Sequence, residues 1–78
     1  MAVLRLFAAA REAAGKTADT IEGDTVGEVL AEATRRYGPG FAAVLASSRV
    51  WLNGEPAPHD SAVRESDEVA VIPPVSGG

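Results

Sequence analysis

The sequence predicts an α+β domain: a mixed β-sheet packed on one main helix, with a short second helix. Three observations carry this. The chain has 78 residues, below the roughly 100–200 usual for a domain, which leaves no room for a second lobe or an interdomain cleft. One stretch, residues 26–37, has helical periodicity with both ends marked. The stretches around it alternate or run apolar over strand lengths, punctuated by turn residues.

Residues 3–7 read Val-Leu-Arg-Leu-Phe, the period-two pattern of a half-buried strand. Arg5 does not belong in a small core, so Leu4 and Leu6 face inward and Val3, Arg5 and Phe7 face out. Residues 8–14 are alanine-rich and closed by Gly15, which reads as a loop or short helical turn. Residues 17–21 form a weaker strand, β-branched at Thr17, Thr20 and Ile21, and Gly23-Asp24 ends it.

The helix of residues 26–37 starts at Thr25 as N-cap, with Glu28 three residues later completing a capping box. Val26, Val29, Leu30, Ala33 and Tyr37 share one face. Arg35 and Arg36 suit the negative end of the macrodipole, and Gly38-Pro39 stops the helix. Residues 41–46, with Phe41, Val44 and Leu45 at helical spacing, read as the short second helix. Residues 49–52 read as a strand, followed by Asn53-Gly54, the strongest two-residue hairpin signal. The return strand is short because Pro56 and Pro58 remove ladder donors. Ser66-Asp67 reads as a turn, residues 68–72 as an apolar strand, and Pro73-Pro74 as the end of its pairing. The order is strand, strand, helix, strand, short strand, strand. Placing the first and last strands side by side in the middle of one sheet gives a β-grasp, with the domain over residues 1–72 and an extended tail over residues 73–78.

Composition narrows the function. Hydrophobic residues make up 46% of the chain, but 15 of them are alanine, leaving 21 larger side chains for a core. With no cysteine, disulfides, thiolate zinc sites and cysteine nucleophiles are excluded together. Eleven acidic against seven basic residues give a net charge of −4, which argues against nucleic acid as the main ligand. No apolar run approaches the about 20 residues that span a bilayer, and residues 1–7 carry no signal-type leader. A cytosolic location is expected.

A search for catalytic groups finds little. His59, the single histidine, sits beside Asp60 in what reads as an exposed loop, with no nucleophile placed to partner it. Asp67 and Glu68 point to opposite sides of a strand. Gly38 and Gly40 flank a proline after a helix rather than opening one, so no phosphate loop is read there. What remains is the C-terminal end. Two terminal glycines arise by chance in roughly one chain in two hundred, taking glycine at about 7%. Pro73-Pro74 stiffens the exit from the sheet. Gly77-Gly78, lacking side chains, can thread a narrow channel and offer a bare carboxylate. Parity also places Phe7, Trp51 and Ile72 on the outer face, where a cluster of large apolar residues would be a partner-binding patch.

The sequence resembles the small subunit of molybdopterin synthase, a member of the ubiquitin-like sulfur-carrier family. The resemblance rests on the tail Pro73-Pro74-Val75-Ser76-Gly77-Gly78, preceded by Asp67-Glu68-Val69-Ala70. It continues through Leu6-Phe7-Ala8, Arg11-Glu12 and Gly15, then Thr25-Val26, Leu30, Tyr37-Gly38 and Asn53-Gly54. It covers essentially the whole chain. Ser66 departs from it, standing where the family often has glycine.

The resemblance implies a ubiquitin-like β-grasp whose chemistry is completed by partners. It implies that an adenylating, E1-like enzyme consumes ATP to activate the Gly78 carboxylate as an acyl-adenylate. A sulfur donor then converts it to a thiocarboxylate, releasing AMP. Inserted into the large catalytic subunit of molybdopterin synthase, in an expected heterotetramer, the tail gives its sulfur to cyclic pyranopterin monophosphate. By the same resemblance Gly78 is the reacting terminus, and Pro73, Pro74, Val75, Ser76 and Gly77 thread the partner's channel. Phe7 falls at a partner-contacting position, and Arg11 is a candidate for an interface ion pair. No resident cofactor or metal is expected. The alternatives are a sulfur carrier for thiazole, cysteine or tRNA thiolation, and, in another class, a ubiquitin-like protein modifier.

Overall fold

A computed structural model describes residues 1–74 of the chain. Strand β1 (Ala2–Leu6) leads into helix α1 (Ala8–Ala14), strand β2 (Ala18–Ile21), and helices α2 (Val26–Tyr37) and α3 (Pro39–Ala46). Strands β3 (Arg49–Leu52), β4 (Glu55–Pro56) and β5 (Glu68–Ile72) follow. The sheet order is β2-β1-β5-β3-β4. β1 runs parallel to β5, and the remaining neighbours are antiparallel. The expected mixed sheet is present, with the first and last strands adjacent at its centre.

Register explains which residues enter the core. Leu4 pairs with Val69 and Leu6 with Val71, and all four are buried. The same parity turns Val50 and Leu52 toward the core, where they pack on its margin. Val26, Val29, Leu30 and Ala33 of α2 close over this face. Phe41 of α3 is the largest fully buried side chain, and its ring meets that of Tyr37 edge-on at 5.2 Å. Each such apolar side chain contributes about 1.5–3 kcal/mol on burial. Truncating Phe41 to alanine costs about 3–5 kcal/mol, comparable with the whole stability of a marginal domain.

The capping box forms with one change of partner. Thr25 Oγ1 accepts from the Glu28 N–H at 3.1 Å, while the Glu28 carboxylate reaches back to the Asp24 N–H at 3.0 Å rather than to Thr25. The hairpin turn has Asn53 at φ 50° and Gly54 at φ 85°, the left-handed pair that Asn-Gly favours.

Several sequence expectations need correction. Residues 8–14 form a helix, not a loop or single turn. It starts where the Phe7 carbonyl accepts the N–H groups of Ala10 and Arg11, and it buries Ala10. β1 ends at Leu6, so Phe7 is the extended cap of α1 instead of the last strand residue. β2 begins at Ala18, one residue later than expected. α3 begins at Pro39, because proline suits the first helical position as well as it ends the preceding helix. Gly38-Pro39-Gly40 therefore does open a helix, although without the spacing and lysine of a phosphate loop. No helix of the described residues is long and apolar enough to cross a membrane.

Candidate functional site

The tail leaves the domain from its best-supported strand. β5 lies between β1 and β3, so backbone pairing on both sides fixes the direction in which residue 72 points. Pairing with β1 extends one step beyond the strands: the Phe7 N–H donates to the Val71 carbonyl at 3.3 Å. β5 ends at Ile72; Pro73, the next residue, is buried and Pro74 is exposed. Val75, Ser76, Gly77 and Gly78, expected to form the threading tail and its reacting terminus, lie outside the described residues.

The outer face of the sheet surrounds this exit. Ile72 pairs with Arg49, and Phe7 reaches the same end of the sheet through its bond to Val71. One step back, Ala70 pairs with Arg5 on one side and Trp51 on the other, and Trp51 pairs with Pro56. Phe7 is 44% exposed and is one of only two exposed large hydrophobic residues among those described. Trp51 and Ile72 are half-buried, so the face presents one prominent aromatic and two partly covered neighbours. Arg11 is exposed on α1, one turn after Phe7. Arg5 is held by Glu68 at 2.6 Å.

Sequence reasoning did not single out Arg49, although it shares the outward parity of Trp51 two residues later. It also missed an open groove of about 410 Å³ lined by Arg49, Val50, Trp51, Pro56, Ala57 and Pro58. The groove opens where β4 stops after two residues. The spacing of Pro56 and Pro58 was the signal for it, because neither residue has an N–H with which to continue the sheet.

Charged groups elsewhere have structural work. The Asp67 carboxylate accepts the Arg64 N–H at 2.8 Å and the Asn53 side-chain amide at 3.2 Å, and these bonds lower its pKa. Asn53 Oδ1 accepts the Glu68 N–H at 2.9 Å, so the hairpin tip is tied to the start of β5. Glu32 is drawn down to about 2 by hydrogen bonds from Arg35 and then Arg36. His59 is exposed, and its carbonyl, not its ring, is engaged, accepting the Gly27 N–H at 2.8 Å. Among the described residues no cluster of three His, Asp or Glu could hold a metal. The arrangement can present a docking face at the end of β5.

Residues 4–78 match the ThiS family, a span that includes the tail. SAMP1 of Haloferax volcanii, a small archaeal modifier protein, superposes with a TM-score of 0.82 at 33% identity, over 99% of this chain and 98% of that one. A Pyrococcus furiosus chain assigned as subunit 1 of a molybdopterin converting factor gives 0.83 at 26% identity, over 95% and 97%. A chain of the complex of subunits 1 and 2 of the Helicobacter pylori molybdopterin-converting factor gives 0.72 at 19% identity, over 99% and 97%, a likeness of fold alone. With its ubiquitin-like β-grasp and a match running from β1 through Gly78, the chain belongs to the ThiS family of ubiquitin-like sulfur carriers.

Proposed function

We propose that the chain is the sulfur-carrying small subunit of a molybdopterin synthase, acting in the cytosol. The observation that carries this reading is the family match over residues 4–78, which takes in the whole tail through its terminal Gly-Gly. The Pyrococcus furiosus relative supports the choice of pathway.

In this reading the Gly78 carboxylate attacks the α-phosphorus of ATP on an adenylating partner and pyrophosphate leaves. The acyl-adenylate carries a good leaving group, and sulfide supplied by a donor attacks the carbonyl and displaces AMP to leave a thiocarboxylate. The large subunit then accepts the tail and catalyses attack of the thiocarboxylate sulfur on a side-chain carbon of the pterin precursor, from which an oxygen substituent leaves. Hydrolysis of the resulting acyl link returns the carboxylate. Glycine at both terminal positions limits crowding around the attacked carbonyl. The domain supplies orientation: β5 aims the tail, Pro73 and Pro74 restrict its first bonds, and the Phe7–Ile72 end of the sheet docks the partner.

The test is reconstitution. The thiocarboxylated chain, mixed with the large subunit and cyclic pyranopterin monophosphate, should yield molybdopterin in proportion to thiocarboxylate consumed. Sulfur loading without pterin product would move the assignment to thiazole, cysteine or tRNA thiolation. The 33% identity to SAMP1 favours a second reading, protein modification. It predicts an isopeptide between Gly78 and lysines of other proteins, visible after tryptic digestion as a branch of residues 65–78, because Arg64 is the last cleavage site before the terminus.

A further inference from the structure

We infer that the groove between Arg49 and Pro58 receives an extended segment of the partner protein, one that sets a carboxylate on Arg49 and an apolar side chain against Trp51. This deepens the carrier reading and rests on it. Arg49 is exposed and pairs with Ile72, the last residue of β5, so its charge stands at the point where the tail emerges. The ion pairs among the described residues engage Arg5, Lys16, Arg35 and Arg36, and Arg49 is in none of them. In a chain of net charge −4, this cation beside the exit selects for an acidic group opposite. The groove of about 410 Å³ begins at that side chain and continues over Trp51 to Pro56 and Pro58. Its prolines offer no N–H, so the occupant cannot be held as an added strand along them. Recognition there falls to a guanidinium–carboxylate pair and an apolar contact on the indole, the residue types that dominate interface energetics.

The experiment titrates the full chain with the large subunit from the same genome, by calorimetry, at low and high salt. Arg49→Glu should weaken binding tenfold or more and flatten its salt dependence, whereas Arg49→Lys should keep most of the affinity. Trp51→Ala should weaken binding less, and thermal melts confirm that each variant is folded. Unchanged binding by Arg49→Glu, with Phe7→Ala weakened, would overturn the groove assignment while leaving the carrier reading intact. Tighter binding by Arg49→Glu would also overturn it, showing that the partner sets a cation rather than a carboxylate at this position. If the unaltered chain does not bind the large subunit, the molybdopterin reading falls and takes this inference with it.

Discussion

The Tyr37 hydroxyl donates to Asp19 Oδ2 at 2.5 Å, tying the last turn of α2 to the outermost strand β2. The same carboxylate accepts the Thr20 N–H at 2.8 Å through Oδ1, and Arg36 donates to the Thr20 carbonyl at 3.2 Å. Both backbone groups of Thr20 are thus engaged on the edge strand, which blunts it against pairing with another chain. Pro56 does the same at the opposite edge.

Tyr37→Phe should therefore cost about 1.5–3 kcal/mol, the range for a hydrogen bond to a charged group. The loss should depend on pH. The Tyr37 hydrogen bond is the first cause of the lowered Asp19 pKa, so the stability it brings is present above the ordinary carboxylate value of about 4. It fades as the pH falls through the folded-state value. Tyr37 is pushed up by burial and then by its bond to Asp19, so its contribution is present below about pH 10 and fades above it. Urea titrations of both proteins should show their difference shrinking in acid. A constant difference from neutral pH to strong acid would rule out this link.

Ser66 has φ 73°, a left-handed conformation that costs an L-residue about 1–2 kcal/mol and glycine almost nothing. Its N–H bond to the Met1 carbonyl, 3.0 Å, uses no side chain. Ser66→Gly should raise stability by about 0.5–1 kcal/mol after the extra flexibility of the unfolded chain is counted. The midpoint of thermal unfolding measures this directly, and a decrease would mean that the serine side chain has a role of its own.

Phe7→Ala separates folding from docking. With Phe7 44% exposed, its truncation should cost the fold less than about 1 kcal/mol, yet weaken binding to the large subunit severalfold. A variant that folds poorly but binds normally would assign Phe7 to the body of the domain.

How legible the fold was varies with how much chemistry each segment carries. α2 was readable because Thr25, Glu28, the apolar stripe and Arg35-Arg36 all point the same way. Asn53-Gly54 marked the hairpin because only a few residues accept its backbone geometry. α1 was not readable: Ala8–Ala14 is mostly alanine, which gives periodicity no contrast, and the Phe7 carbonyl that starts it is a backbone feature. The outer face was half legible. Parity identified Phe7, Trp51 and Ile72, but the neighbour relation of Arg49 to the tail exit depends on pairing between β3 and β5, distant in sequence. The burial of Pro73 likewise follows from packing that no local pattern records.

Sulfur carried on the Gly78 carboxylate is read by intact mass spectrometry. Incubated with ATP, the adenylating enzyme and a sulfur donor, the full chain should gain the mass of one oxygen-to-sulfur exchange, located to Gly78 by fragmentation. The chain lacking Gly78 should gain nothing. An unchanged mass for the full chain, or the same gain without Gly78, would show that Gly78 is not the sulfur-carrying terminus.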